Sequence, residues 1–254
     1  MLVIRIEGAV LFVLALRSSV YLEEEMEGKS TTRIQITRAV IARLAGFILV
    51  MGLILFGTAG SFTYWQAWIY IALLSVLVLW TGIYLIRNDP ALLERRMRMK
   101  EKQAVQKNVV LLSFIYIGLL FVLPGLNFRF GWSVTPVWAV IAGDVVIVLG
   151  YLLLHRVLKE NTFASRVIEV EQGQKVIDSG PYARIRHPMY TSVIAVYLAT
   201  PVALGFWWMV LPGLVIIPML AVRIRNEEEV LARDLPGYET YLQKVKYRLV
   251  PGVW

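Results

Sequence analysis

The sequence predicts an all-α, polytopic membrane helix bundle. About six transmembrane helices are expected, two of them a short C-terminal hairpin, followed by further helices on the cytoplasmic side. Three observations predict this. Of the 254 residues, 58% are hydrophobic and only 17% charged, with a mean hydropathy of +0.64, values that mark helical membrane proteins rather than soluble domains. Five apolar stretches are long enough to enter a bilayer. The basic residues are confined to the segments that alternate with them.

Residues 1–43 read as an N-terminal extension, interfacial or poorly ordered. Its apolar piece, Gly8–Leu16, is too short to span a bilayer. It also lacks the basic start and small-residue cleavage site of a signal peptide. The expected spans are Leu44–Phe62, Tyr64–Ile86, Val109–Leu126 and Val134–Leu154. A longer stretch, Met189–Val222, carries Pro201 and Gly205 near its middle, then Trp207 and Trp208. Helix breakers beside interfacial aromatics mark the tip of a hairpin. Each arm then has about 17 residues, roughly 25 Å at the α-helical rise.

Charge fixes the expected orientation. Six Lys and Arg lie in residues 1–43, seven in 87–108, six in 155–187 and six in 222–254, leaving only Arg129 outside these groups. With alternating spans all four basic segments share one side, which the positive-inside rule makes cytoplasmic, together with both termini. The net charge of +8 then serves topology and anionic lipid headgroups, not nucleic acid. There is no cysteine, which excludes disulfides, thiolate nucleophiles and Cys-based metal sites. With His155 and His187 the only histidines, no metal site is expected.

Chemistry-bearing residues gather on both sides of the C-terminal hairpin. In Gly180–Tyr190, GPYARIRHPMY, Gly180-Pro181 is a turn signal. Pro188 suits the first position of a helix capped by His187. The first-turn N–H groups, including those of Met189 and Tyr190, are expected free at the cytoplasmic interface. There Arg184 and Arg186 would strengthen the attraction for an anion. Beyond the hairpin, Arg223 and Glu227 lie four apart on one helical face, and Glu228 is rotated from them by about 100°. A basic helix cap and a carboxylate on one membrane face suit a zwitterionic ligand. The carboxyl tail, with Leu231, Leu235, Tyr238 and Tyr241 on short amphipathic helices split by Pro236-Gly237, is placed as a cover over such a pocket.

Asp144 is the acidic residue inside a predicted span and is assigned a structural hydrogen bond. His155 is assigned a headgroup contact. The stretch Gly57-Thr58-Ala59-Gly60 follows no strand and is not a dinucleotide loop.

At these residues the sequence resembles the isoprenylcysteine carboxyl methyltransferase-like family, which also takes in phospholipid N-methyltransferases. The matching pieces are Asn161-Thr162-Phe163, then GPYARIRHPMY, then Arg223, Glu227-Glu228, Leu231, Gly237-Tyr238 and Tyr241 running into Pro251. Asp89-Pro90, Leu93 and Arg95-Arg96 are a weaker echo. The resemblance covers roughly residues 140–254. It implies a membrane methyltransferase domain over 44–254 whose cofactor-binding part is 155–254, with S-adenosylmethionine bound on the cytoplasmic side. Tyr182, Arg186, His187, Pro188, Tyr190, Glu227 and Glu228 would line the cofactor pocket, and Arg223 and Glu227 would be the catalytic pair. Thr191 stands where the family often has glycine.

The acceptor is then a lipidic or apolar small molecule reacting through a carboxylate, amine or thiol. Two other readings compete: an NADPH-dependent sterol-type membrane reductase, and a non-catalytic transporter or assembly protein.

Overall fold

The computed structural model describes residues 33–97, 104–164, 170 and 172–254. Gly8–Leu16 lies outside these residues. Among the described residues every regular element is helical and none is a strand. The helices are α1 (Arg33–Ala59), α2 (Trp65–Asn88), α3 (Pro90–Met97), α4 (Ala104–Phe130), α5 (Val137–Glu160), α6 (Pro188–Ala203), α7 (Val210–Gly213), α8 (Ile216–Asp234) and α9 (Tyr238–Lys244). Among the described residues four helices are long and apolar enough to cross a membrane: Val40–Ala59, Trp65–Asn88, Val137–Glu160 and Trp207–Asp234. Pro188–Ala203 is apolar but shorter, and Gly118–Phe130 is the apolar end of the longer α4. In hydrocarbon a helix satisfies its backbone internally, which is why apolar runs take this form.

The hairpin turns where its helix breakers stand. Pro201 lies in the last turn of α6, Gly205 has φ +78°, and Trp207–Met209 form a 3-10 turn. The second arm extends further than expected, because α8 continues unbroken into its charged end at Asp234. Three side chains pin the tip. Tyr64 donates to Leu204 O at 2.5 Å, Asn127 Nδ2 to Gly205 O at 3.0 Å, and the Tyr70 hydroxyl meets Thr200 Oγ1 at 3.0 Å. Exposed Trp65, Trp68, Trp132, Trp138, Trp207 and Trp208 cluster at this end of the bundle, as aromatic residues do at a membrane–water boundary.

The helices α5 and α6 pack closely because α5 carries glycines at the contact. A Cβ on Gly143 would stand 2.7 Å from Ala203 N, and one on Gly150 would stand 2.7 Å from Val196 Cγ2. Small residues allow this approach of backbones between membrane helices. This contact fixes the start of α6, at His187, beside the end of α5, at Asn161. Asp89 then ends α2 and caps α3 by accepting from Leu92 N at 2.9 Å, with Pro90 in the first position of α3.

Asp144 does not make the hydrogen bond assigned to it. Its Oδ1 is buried without a partner. Tyr70 and Thr200 bond each other, and Thr200 Oγ1 also donates to Val196 O at 2.8 Å. His155 is packed between aromatic rings, stacked on Trp80 at 4.0 Å and edge-on to Tyr84 at 4.6 Å.

Candidate functional site

The two ends of the hairpin converge. Arg186, His187 and Pro188 at the start of α6 meet Arg223, Glu227 and Glu228 on α8, and all of them are buried except Glu227. Pro188 occupies the first helical position with His187 as the cap residue. The backbone around this cap is closed by the tail. Arg186 N donates to Tyr247 O and His187 N to Arg248 O, both at 2.9 Å. The expectation of free first-turn donors fails for Tyr190, whose N–H turns back to His187 O at 3.0 Å. A tightened first turn satisfies its own donors, so the anion-binding capacity of this helix end is reduced.

Glu228 is the hub of an ion-pair cluster. Arg186 Nε donates to its Oε1 at 2.7 Å and His187 Nε2 lies 3.1 Å from the same oxygen. Arg248 Nε donates to Oε2 at 2.9 Å. Arg186 Nη1 also reaches Val245 O at 2.8 Å and Lys246 O at 3.1 Å. Arg186 is thus committed to internal partners, and Glu228 is surrounded by cations on both oxygens. Charge-assisted pairs of this kind are the strong ones.

Glu227 has a different environment. Its side chain is 26% exposed, against 9% for Glu228. Tyr190 donates to its Oε2 at 2.5 Å, and Arg223 Nε donates to the Tyr190 hydroxyl at 2.8 Å. Arg223 therefore orients Glu227 through Tyr190. The other carboxylate oxygen stands 3.9 Å from His187 Nδ1. The ring turns Nε2 to Glu228, so Nδ1 is the nitrogen on the Glu227 side. At 3.9 Å the two are too far apart to bond each other directly. The partly exposed Glu227 carboxylate is an acceptor that suits the ammonium end of a zwitterion.

Tyr182 is buried beside this cluster in the 3-10 turn Gly180–Ala183. Its hydroxyl accepts from Asn161 Nδ2 at 3.0 Å and its carbonyl accepts from the Tyr241 hydroxyl at 2.8 Å. Burial pushes the Tyr182 phenol well above its ordinary pKa, against the Asn161 hydrogen bond, and the nearby Glu227 charge adds to the rise. The phenol stays neutral.

A comparison with protein-family models matches residues 138–236 to the phospholipid methyltransferase family. The match covers less than half of the chain: nearly all of α5, the loop to Tyr182, the hairpin and all of α8. The methyltransferases of this family use S-adenosylmethionine, and the chain carries such an S-adenosylmethionine-dependent methyltransferase domain. A comparison with curated proteins finds no match.

The methyltransferase segment is completed by Arg248 and Arg96 outside the matched range and by Thr191 within it. Arg248 was not singled out in the sequence, although it sits in the basic tail and its guanidinium also lies over Trp254 at 5.2 Å. Thr191, at the position where glycine is common, donates to Leu249 O at 2.9 Å and so holds the same tail. Arg96 on α3, part of the weaker echo, is buried and donates through Nη1 to Ala164 O at 3.1 Å, with Met189 Sδ at 4.0 Å. The Asp-Pro…Arg spacing was the signal for it.

Proposed function

We propose that this protein binds S-adenosylmethionine at the cytoplasmic mouth of the hairpin and methylates a lipidic or strongly apolar acceptor there. The observation that carries this reading is the gap between Glu227 Oε1 and His187 Nδ1, flanked by Tyr190 and Arg223. When bound, the cofactor supplies an electrophilic methyl group on a sulfonium. Glu227 and His187 hold its ammonium end, Tyr182 and Pro188 border it, and the Arg186–Glu228–Arg248 cluster keeps the tail closed over it. Exclusion of water and alignment are the main contributions, because an in-line displacement that extinguishes a positive charge is favoured by positioning and desolvation. Glu227, the more accessible carboxylate, accepts the proton that an amine or thiol acceptor must lose, and Arg223 positions it through Tyr190.

The membrane arrangement belongs to the same reading. Six spans, the last two a short C-terminal hairpin, bring both termini and this site to the cytoplasmic side, as the distribution of Lys and Arg favours. Residues 1–43 are an extension and 44–254 the methyltransferase domain, with cofactor binding in 155–254. An apolar acceptor then reaches the site laterally from the bilayer with only its reacting head at the interface.

The test supplies methyl-labelled cofactor to membranes containing the protein and separates organic-extractable, protein-bound, volatile and aqueous label. Label chiefly in the organic phase is expected. Label chiefly in water defeats the apolar-acceptor reading, and no binding of cofactor by purified protein defeats the site.

A further inference from the structure

One polar group beside the site has no partner. Asn226 lies on α8 between exposed Arg225 and half-buried Glu227, and its Nδ2 is buried without a hydrogen-bond partner. The α-helical repeat puts it on a common face with Met219, Arg223 and Val230, at seven and three residues before it and four after. Glu228, two residues on, points to the opposite side of the helix at about 200°. The helix thus turns Glu228 toward the tail and Asn226 away from it, with Arg223 and Glu227 between. Buried amide donors are nearly always bonded, and an unbonded one in a native structure calls for a reason.

A ligand oxygen supplies that reason. An amide –NH₂ is a donor, with the Arg223 guanidinium three residues back and the Glu229 carboxylate three residues on. Arg223 is buried and Glu229 exposed, so solvent screens the carboxylate more and the net bias is toward negative charge. Glu227, about 100° round the helix, opposes that bias less on the Asn226 side than on its own. We propose that Asn226 is a ligand-binding residue of the methyltransferase, donating from Nδ2 to an anionic oxygen. The oxygen belongs either to the cofactor's carboxylate or to the phosphate of a lipid acceptor. This inference rests on the methyltransferase reading above.

The experiment compares the parent with Asn226→Leu, which removes the polar group, and Asn226→Asp, which keeps its shape and removes the donor. Melting temperature without ligand, affinity for S-adenosylhomocysteine, and label transfer to vesicles of phosphatidylethanolamine and phosphatidylglycerol are read separately. Asn226→Leu is expected to melt no lower than the parent, because it deletes an unbonded buried donor. A tenfold or greater loss of S-adenosylhomocysteine affinity in the variants identifies the cofactor as the source of the oxygen. Unchanged affinity with at least tenfold lower transfer at subsaturating lipid identifies the phospholipid.

Parent-like values in both readings overturn the proposal and leave Asn226 an unsatisfied group of the fold. Should the leucine variant not fold, the isosteric aspartate variant decides. If the parent transfers no label to these vesicles, the affinity reading decides alone. Failure of the parent itself to bind S-adenosylhomocysteine is a separate result, visible before any variant is made, and removes the methyltransferase reading instead.

Discussion

Arg186 donates through Nε to Glu228 Oε1 at 2.7 Å, joining residues 42 apart in sequence across the whole apolar hairpin. The same guanidinium holds the carbonyls of Val245 and Lys246, so one buried ion pair ties together the start of α6, the charged end of α8 and the tail. Beside it, Glu227 faces the more open side and is oriented by Tyr190. On the proposed reading, two adjacent carboxylates thereby take separate work, one in holding the fold and one in meeting a ligand.

Separate work predicts separate phenotypes. Glu228→Gln leaves buried Arg186 and half-buried Arg248 short of their counter-charge, and breaking a buried pair costs about 3–5 kcal/mol. Its melting temperature in detergent should fall without ligand present. Glu227→Gln should melt close to the parent yet lose most of the rise that S-adenosylhomocysteine produces by mass action. His187→Ala should lose that rise too. Equal ligand-free melting of the two glutamine variants would contradict the division.

Tyr190→Phe tests the link between Arg223 and Glu227. The substitution removes the acceptor of Arg223 Nε and the donor to Glu227 Oε2 while keeping the ring. Loss of a charge-assisted hydrogen bond is worth about 1.5–3 kcal/mol. Calorimetric titration should therefore show S-adenosylhomocysteine affinity reduced roughly tenfold to a hundredfold. Affinity within twofold of the parent would show that Glu227 needs no such support.

The α5–α6 contact should tolerate no added volume. Gly143→Val places a branched side chain where a Cβ alone would stand 2.7 Å from Ala203 N, and overpacking of this kind costs about 1–3 kcal/mol. Gly57→Ala is the matched control, since nothing stands within 4 Å of its Cβ position and alanine is the better helix former. Thermal melting should separate the two, with the valine variant lower and the alanine variant level with or above the parent.

Sidedness is open to direct labelling in this cysteine-free chain. Single cysteines at exposed Thr63, beside the aromatic end, and exposed Gln243, beside the site, should respond oppositely to an impermeant thiol reagent added to intact cells. Thr63→Cys is expected to label and Gln243→Cys to label only after lysis. The reverse pattern would invert the topology and put the site outside.

The sequence by itself determined the helical class of fold, the positions of the apolar helices, the hairpin tip at Pro201–Gly205 and the residues that meet at its mouth. Those features are local. An apolar run in lipid has helix as its backbone solution wherever it packs, and proline and glycine act on their own dihedral angles. The rotation between Glu227 and Glu228 was equally legible, but not which of them meets Arg186. That was decided by the docking of α8 against α6 and by the return of the tail, whose Tyr247 and Arg248 carbonyls pair with the Arg186 and His187 amides. Arg248 and Thr191 entered the site by the same non-local route. Asp144 Oδ1 is buried without the hydrogen bond expected of this residue. Periodicity sets the direction in which a side chain leaves its helix, and only the packing of distant segments decides what stands in that direction.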